Sequence, residues 1–273
     1  MDKKSTYRQN VLKKIDEYEK AGRWSEDVEE DPPTIELLPD KIDYLNRRLS
    51  NKIATAVVNF AGNRMIDKLV KNKQLIIEGV EGIENFSKIE GGAILTCNHF
   101  HPFDNLAVWK VVKNHMRGKL WKVIKEGNYT NPPAGFEKFF RHCNTLPLSQ
   151  NRQTMIKFMK AVQTLLNKKQ KILIYPEQSM WWNYKKPRPL QNGAFKLAAK
   201  NDVPVLPIFI TMKDSDIVDA DGYPVQKYTI HFLEPIYPDK TLSNNEMAEE
   251  MKNQNYDAWV RVYEKTYRKK LKY

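Results

Sequence analysis

The sequence predicts an α/β fold: a mixed, mostly parallel sheet flanked by helices and preceded by an N-terminal amphipathic helical segment. Three observations predict it. From about residue 74 onward, short β-rich runs alternate with helical stretches. The first seventy residues are patterned differently, with helical periodicity and no strand-like run. The chain has 273 residues, 41% of them apolar, which is enough to build one large α/β core or two small ones. The expected division is 1–72, a helical and membrane-docking segment, and 73–273, the α/β domain.

Taken in order, Tyr7, Val11, Ile15 and Tyr18 recur at helical spacing before "SEDVEEDPP" interrupts them with acid and proline. After Pro39, Asp40 can cap a long helix whose stripe is Ile42, Leu45, Leu49, Ile53, Val57 and Phe60, continued by Met65, Ile66 and Leu69. Lys41, Arg47, Arg48, Lys52, Arg64 and Lys68 are interspersed. Such a helix either packs its apolar side on the core or presses it into a membrane interface with the cations toward headgroups. "QLIIEGV", "GAILTC", "WKVIK", "NTLPL", "KILIYP", "VPVLPIFI" and "YTIHFLE" read as strands. Asp104 to His115, Gln153 to Leu166, Gly193 to Lys200 and the tail from Asn245 read as helices. In sheets of this kind, ligands sit where strands end and loops begin.

Charge narrows the partners. Lys and Arg number 45 against 33 Asp and Glu, a net charge of +12, so anions attract the protein: nucleic acid, an anionic membrane surface or phosphorylated substrates. No finger spacing, RNP-like aromatic block or helix-turn-helix is visible, and nucleic acid is not expected as a partner. Two cysteines suggest neither a disulfide scaffold nor zinc, and they fit a reducing compartment. The polar start "MDKKSTYRQN" has no apolar signal region. The densest apolar windows, "IATAVVNFAG" and "VPVLPIFITM", are about half the length of a spanning helix. A cytoplasmic protein, peripheral on the inner face of the membrane, is therefore expected.

The chemistry concentrates in "ILTCNHFHPFDN". A buried strand ends, and His99 and Asp104 follow, five positions apart, with Asp104 where a helix should begin. A carboxylate at a helix start is favoured by the dipole and the free amides there, so Asp104 can be a simple cap. It can equally fold back onto His99, fix the imidazole tautomer and leave the other ring nitrogen as a general base. No serine or cysteine nucleophile is evident nearby, which points to an attacking hydroxyl supplied by the substrate. Asn98, His101 and Asn105 can add polar contacts. No further ligand cluster accompanies the pair, and no metal is expected.

"NHFHPFD" resembles the Asn-His-x-x-x-x-Asp block of the glycerolipid acyltransferases, particularly bacterial lysophosphatidic acid acyltransferases. "KEGNYTNPPAGFEKFFRHCNTLPLSQNR", "YPEQSMWW" and "VPVLPIF" resemble that family's second, third and fourth blocks in the same order, over roughly residues 74 to 234. The resemblance implies that His99, backed by Asp104, takes the proton of a lysophospholipid hydroxyl as it attacks an acyl thioester on CoA or acyl carrier protein, with no further cofactor. It implies that Glu177 helps hold the acceptor and that Ser179 keeps the hydroxyl function of the third block. Three departures bear on the acceptor. Gln178 stands where the family usually has glycine, putting a bulky amide where room is expected. Met180 replaces the usual arginine, and Ser149 or Gln150 aligns with the usual arginine of the second block. Phosphate contacts would then fall to Arg141, Arg152, Lys185, Lys186 or Arg188. The acceptor so implied is 1-acyl-glycerol 3-phosphate. Glycerol 3-phosphate, another lysolipid, or a non-catalytic lipid- or nucleic-acid-binding role are the alternatives. Acyl chain length and oligomeric state are not legible in the sequence.

Overall fold

The computed structural model describes residues 4–31 and 33–273. Its centre is a seven-stranded sheet in the order β1-β7-β6-β2-β5-β3-β4. The strands are β1 (Ile76–Glu81), β2 (Ala93–Cys97), β3 (Leu120–Ile124), β4 (Thr145–Pro147), β5 (Lys171–Ile174), β6 (Val205–Val218) and β7 (Pro224–Phe232). Every pairing is parallel except β6 with β7. The sheet is thus mixed and mostly parallel, as the alternating runs predict.

The central strand explains the uninterrupted apolar run before His99. All five residues of β2 are buried, because helices cover both faces. Ile94 joins a core beneath α7 (Arg152–Asn167), α8 (Gly193–Asn201) and α9 (Asn244–Tyr267). Ala93, Leu95 and Cys97 point the other way, into a core shared with α2 (Leu49–Lys71), α3 (Ile83–Ser87) and α4 (Asp104–Val112). Thr96 is buried on the first face and donates its hydroxyl to the Asn255 side chain of α9, 2.5 Å away. Two short helices complete the chain between β3 and β4: α5 (Glu126–Thr130) and α6 (Glu137–His142).

The N-terminal segment lies against this body. In α1 (Thr6–Lys20), Val11 and Ile15 pack with Val28 against Trp181 and Trp182. Further on, the main chain of Leu37 donates to the buried carboxylate of Glu126, which also accepts from Ser149 and from the Gln150 amide. The expected helix from Asp40 starts nine residues later, at Leu49, and Asp40 is not its cap. Tyr44 is the reason. It is buried in the α/β core and its hydroxyl donates to the Pro147 carbonyl at 2.8 Å, with Ile42 and Leu45 packed beside it. Asn46 then takes a left-handed conformation, φ 49°, which no helix continues through. Asp43 accepts from the Arg48 amide just ahead of α2.

The stripe therefore splits. Ile42 and Leu45 anchor the preceding loop. Thr55, Gly62 and Ile66 are buried under α2. Leu49, Ile53, Val57 and Phe60 are 72%, 58%, 62% and 65% exposed on the opposite face. Among the described residues, no helix is long and apolar enough to cross a membrane.

Just before β2, the backbone of Gly92 lies so near the end of α7 that an added Cβ would come within 2.3 Å of the Leu166 carbonyl oxygen. Because that neighbour is main chain and cannot rotate away, Gly92→Ala should destabilise the protein by about 1–3 kcal/mol. Chemical denaturation measures it, and an unchanged midpoint would contradict this close packing.

Candidate active site

β2, β5, β3 and β4 run parallel, so their carboxyl ends open on one edge of the sheet. His99 lies two residues beyond β2 and Glu177 three beyond β5, on adjacent strands. The main chain leaves the ladder at Asn98. Its side chain replaces a ladder rung: Nδ2 donates to the Ile210 carbonyl at 3.0 Å, and Oδ1 accepts from the Ile210 amide at 2.8 Å.

Asp104 is the first residue of α4 and is fully buried. Its Oδ2 lies 2.7 Å from His99 Nδ1 and accepts from the main-chain amides of Phe100 and His101 at 3.2 and 3.4 Å. Its Oδ1 accepts the Tyr175 hydroxyl at 2.6 Å. An ionised carboxylate only accepts, so the proton between the pair sits on His99 Nδ1 and the lone pair on Nε2 is left free. The imidazole side chain is 22% exposed while Asp104 is 0% exposed, so the base is reachable and its partner is not. This is the arrangement a general base needs.

His101, in the same loop, is oriented differently. Its Nδ1 accepts from the Phe103 amide at 3.1 Å, and desolvation drives its pKa down to about 4. It therefore stays neutral near pH 7 and shapes the turn between His99 and Asp104.

The third sequence block holds His99 from the other side. Glu177 Oε2 accepts from the His99 amide at 3.0 Å and from Arg188 Nη2 at 3.0 Å, and Oε1 accepts from the Arg188 amide at 2.8 Å. Arg188 Nη2 also reaches the His99 carbonyl at 3.4 Å, and Nη1 donates to Ser179 Oγ and to the Trp24 carbonyl at 2.9 and 2.7 Å. The guanidinium lies 4.6 Å from the centre of the Trp181 ring. Burial presses Arg188 below its ordinary range, opposed by the charge of Glu177. The Trp181 amide adds a hydrogen bond to the His99 carbonyl at 3.1 Å.

The structure thus brings together His99, Asp104, Glu177 and Ser179, and commits the polar atoms of Asn98, Glu177 and Ser179 to protein partners. Gln178 adopts φ 68°, a left-handed geometry suited to glycine, and its side chain is exposed, turned out from the buried Glu177 and Ser179. Arg188, one of the cations considered for phosphate, has its donors spent inside the protein. Arg152 is exposed at the start of α7, five residues beyond β4 on the same carboxyl edge, and Arg141 is exposed in the last turn of α6. Lys185 pairs with Asp214 at 3.6 Å. None of these three hydrogen-bonds to the His99–Asp104 pair. Sequence reasoning missed Tyr175 altogether and missed the buried role of Arg188. The hydroxyl of Tyr175, a few residues from Glu177, was the available signal. Among the described residues, no group of three or more His, Cys, Asp and Glu side chains is placed to hold a metal ion.

Residues 78–211 match the family model described as Acyltransferase, and this segment, which carries His99, Asp104, Glu177 and Ser179, belongs to the acyltransferase family. Among solved structures, the fold is similar to that of PlsC, the 1-acyl-sn-glycerophosphate (LPA) acyltransferase from Thermotoga maritima. The TM-score is 0.52 and the identity 18%, over 84% of this chain and 87% of that one. No curated protein sequence matches the chain significantly.

Because Arg188 neutralises a carboxylate that is only 2% exposed, Arg188→Met should leave an uncompensated buried charge and cost about 3–5 kcal/mol. Urea unfolding checks this. A loss below about 1 kcal/mol, as for an exposed pair, would contradict the clamp.

Proposed function

We propose that the protein transfers a fatty acyl group from a thioester, on CoA or acyl carrier protein, to the free hydroxyl of a lysophospholipid, with 1-acyl-glycerol 3-phosphate as the leading acceptor. The observation that carries this reading is the His99–Asp104 pair: a reachable Nε2 lone pair, a tautomer set by a buried carboxylate, and no protein nucleophile among its hydrogen-bond partners. The acceptor hydroxyl is the nucleophile. His99 Nε2 takes its proton as the oxygen attacks the thioester carbonyl, the C–S bond breaks, and the thiolate leaves with a proton returned from the imidazolium. Asp104 stabilises that imidazolium. The acyltransferase family match and the PlsC-like fold support the reaction class.

Within this reading, Glu177 and Ser179 act on the acceptor indirectly, by holding the main chain at His99, and Asn98 does so by fixing the strand end. Arg152, exposed at the carboxyl end of β4, attracts an anionic headgroup, with the exposed Arg141 and the half-buried Lys185 as further cations. The decisive assay measures thioester consumption against lysolipids and glycerol 3-phosphate with both acyl carriers. His99→Ala should slow turnover about a hundred- to ten-thousandfold while folding persists. Normal turnover by that variant, or no transfer to any lysolipid by the parent protein, would sink the mechanism.

A lysolipid acceptor lies in a bilayer, and we place the docking face on α2. Leu49, Ile53, Val57 and Phe60 project from one side of the helix, more than half exposed, flanked by Arg47, Arg48, Lys52 and Arg64. Each apolar side chain contributes at most about 1.5–3 kcal/mol on burial, and each nearby cation about 1 kcal/mol on an anionic surface. Binding should be reversible, stronger on anionic vesicles and only partly removed by salt. Changing Ile53, Val57 and Phe60 together to Asp should release the protein from vesicles and keep its thermal transition, since these side chains face away from the core. Retained vesicle binding would move the docking face elsewhere.

A further inference from the structure

Asp104 is bonded through both oxygens, and only one of them serves His99. The other is taken by Tyr175, at the carboxyl end of β5, whose hydroxyl donates to Oδ1 at 2.6 Å. The same tyrosine presents its ring to the imidazole: the two ring centroids are 4.0 Å apart with the planes tilted by only 22°. A single side chain therefore touches both members of the pair, one by its hydroxyl and the other by its face. We propose that Tyr175 is a positioning residue for the acyl-transfer base, locking the Asp104 carboxylate in rotation and the His99 ring in plane, and tempering how strongly Asp104 holds the imidazolium. The inference rests on the acyltransferase reading above.

Each part has a physical cause. A carboxylate bonded through one oxygen alone can pivot about its Cβ–Cγ bond, while one tied at both ends cannot. Stacking against a flat partner removes the other freedom, rotation of the imidazole about its own terminal torsion. A short hydroxyl bond also draws charge from the carboxylate, so less remains to stabilise the protonated ring. Desolvation and the neighbouring Asp104 charge hold the Tyr175 hydroxyl well above its usual pKa, so it stays a donor across the working range. The remaining groups around the pair are Glu177 and Arg188, paired with each other at the His99 backbone, His101 in the loop, and the buried Cys97 and Tyr228, both raised by desolvation and then by the Asp104 charge. None of them has a side-chain hydrogen bond to Asp104, so the effect of Tyr175 is separable.

Tyr175→Phe keeps the ring and removes only the oxygen. Losing a hydrogen bond to a charged group should lower kcat about tenfold or more. KM for either substrate should be little changed, because Tyr175 bonds to the pair and not to substrate. The direction of the pH effect is also set. Without the hydroxyl, Asp104 is a stronger partner for the imidazolium, so His99 keeps its proton to higher pH. The acid limb of kcat/KM should move up, and NMR titration of the His99 ring in the substrate-free protein should move up with it. A His99 titration unchanged in a folded Tyr175→Phe protein overturns the proposal whatever happens to rate. A titration that shifts as stated in a protein with no transferase activity leaves Tyr175 in place and overturns the acyl-transfer reading instead. If the variant does not fold, the wild-type protein still decides. The Tyr175 hydroxyl proton should exchange slowly and show cross-relaxation with His99 ring protons, and a fast-exchanging hydroxyl overturns the proposal.

Discussion

The buried carboxylate of Asp104 is the constraint around which the site is built. A carboxylate taken wholly out of water is tolerable only when its oxygens are satisfied, and here four donors converge on it: an imidazole, a phenol and two main-chain amides. Those donors come from the loop after β2 and from the end of β5, so satisfying one charge forces two adjacent strand ends and the start of α4 into a single arrangement. The tautomer of His99 follows from that arrangement without further machinery.

A second, independent charge holds the other side of the histidine. Glu177 and Arg188 grip the His99 amide and carbonyl, and Arg188 reaches beyond them to the Trp24 carbonyl, while the Trp181 indole donates to the Glu26 carbonyl. The N-terminal segment is thereby tied to the His99 loop. α1 packs Val11 and Ile15 on the same tryptophans. Residues 4–31 are better understood as bracing for the third sequence block than as an appendage to the α/β body.

Much of this was legible beforehand, for identifiable reasons. Strands buried on both faces declare themselves as unbroken apolar runs, and each of the seven runs is a strand. His99 and Asp104 were legible because five residues is a distance a turn can close. The start of α2 was not, because helical periodicity runs through Ile42 and Leu45 although their side chains are spent on the core, and the break comes from a single left-handed residue, Asn46, a weak signal inside an otherwise helical pattern. The Arg188 clamp joins residues eleven and eighty-nine positions apart, a pairing that only the closed fold reveals. Gln178 illustrates the converse. The sequence suggested a crowded pocket, whereas the left-handed backbone there sends the amide outward.

Asn98 has a quieter consequence. A primary amide carries donors and an acceptor on neighbouring atoms, and it sets one N–H and its oxygen on Ile210, imitating a peptide unit where the true peptide has turned away. That imitation depends on the difference between nitrogen and oxygen. Hydrolysis of the side-chain amide, the slow chemical ageing to which asparagines are prone, would set a carboxylate against the Ile210 carbonyl, two acceptors with no hydrogen between them. The damage would be the loss of a latch: β2 and β6 would part at the rung that fixes where His99 begins, while the histidine, its aspartate and every other named atom of the site remained chemically intact.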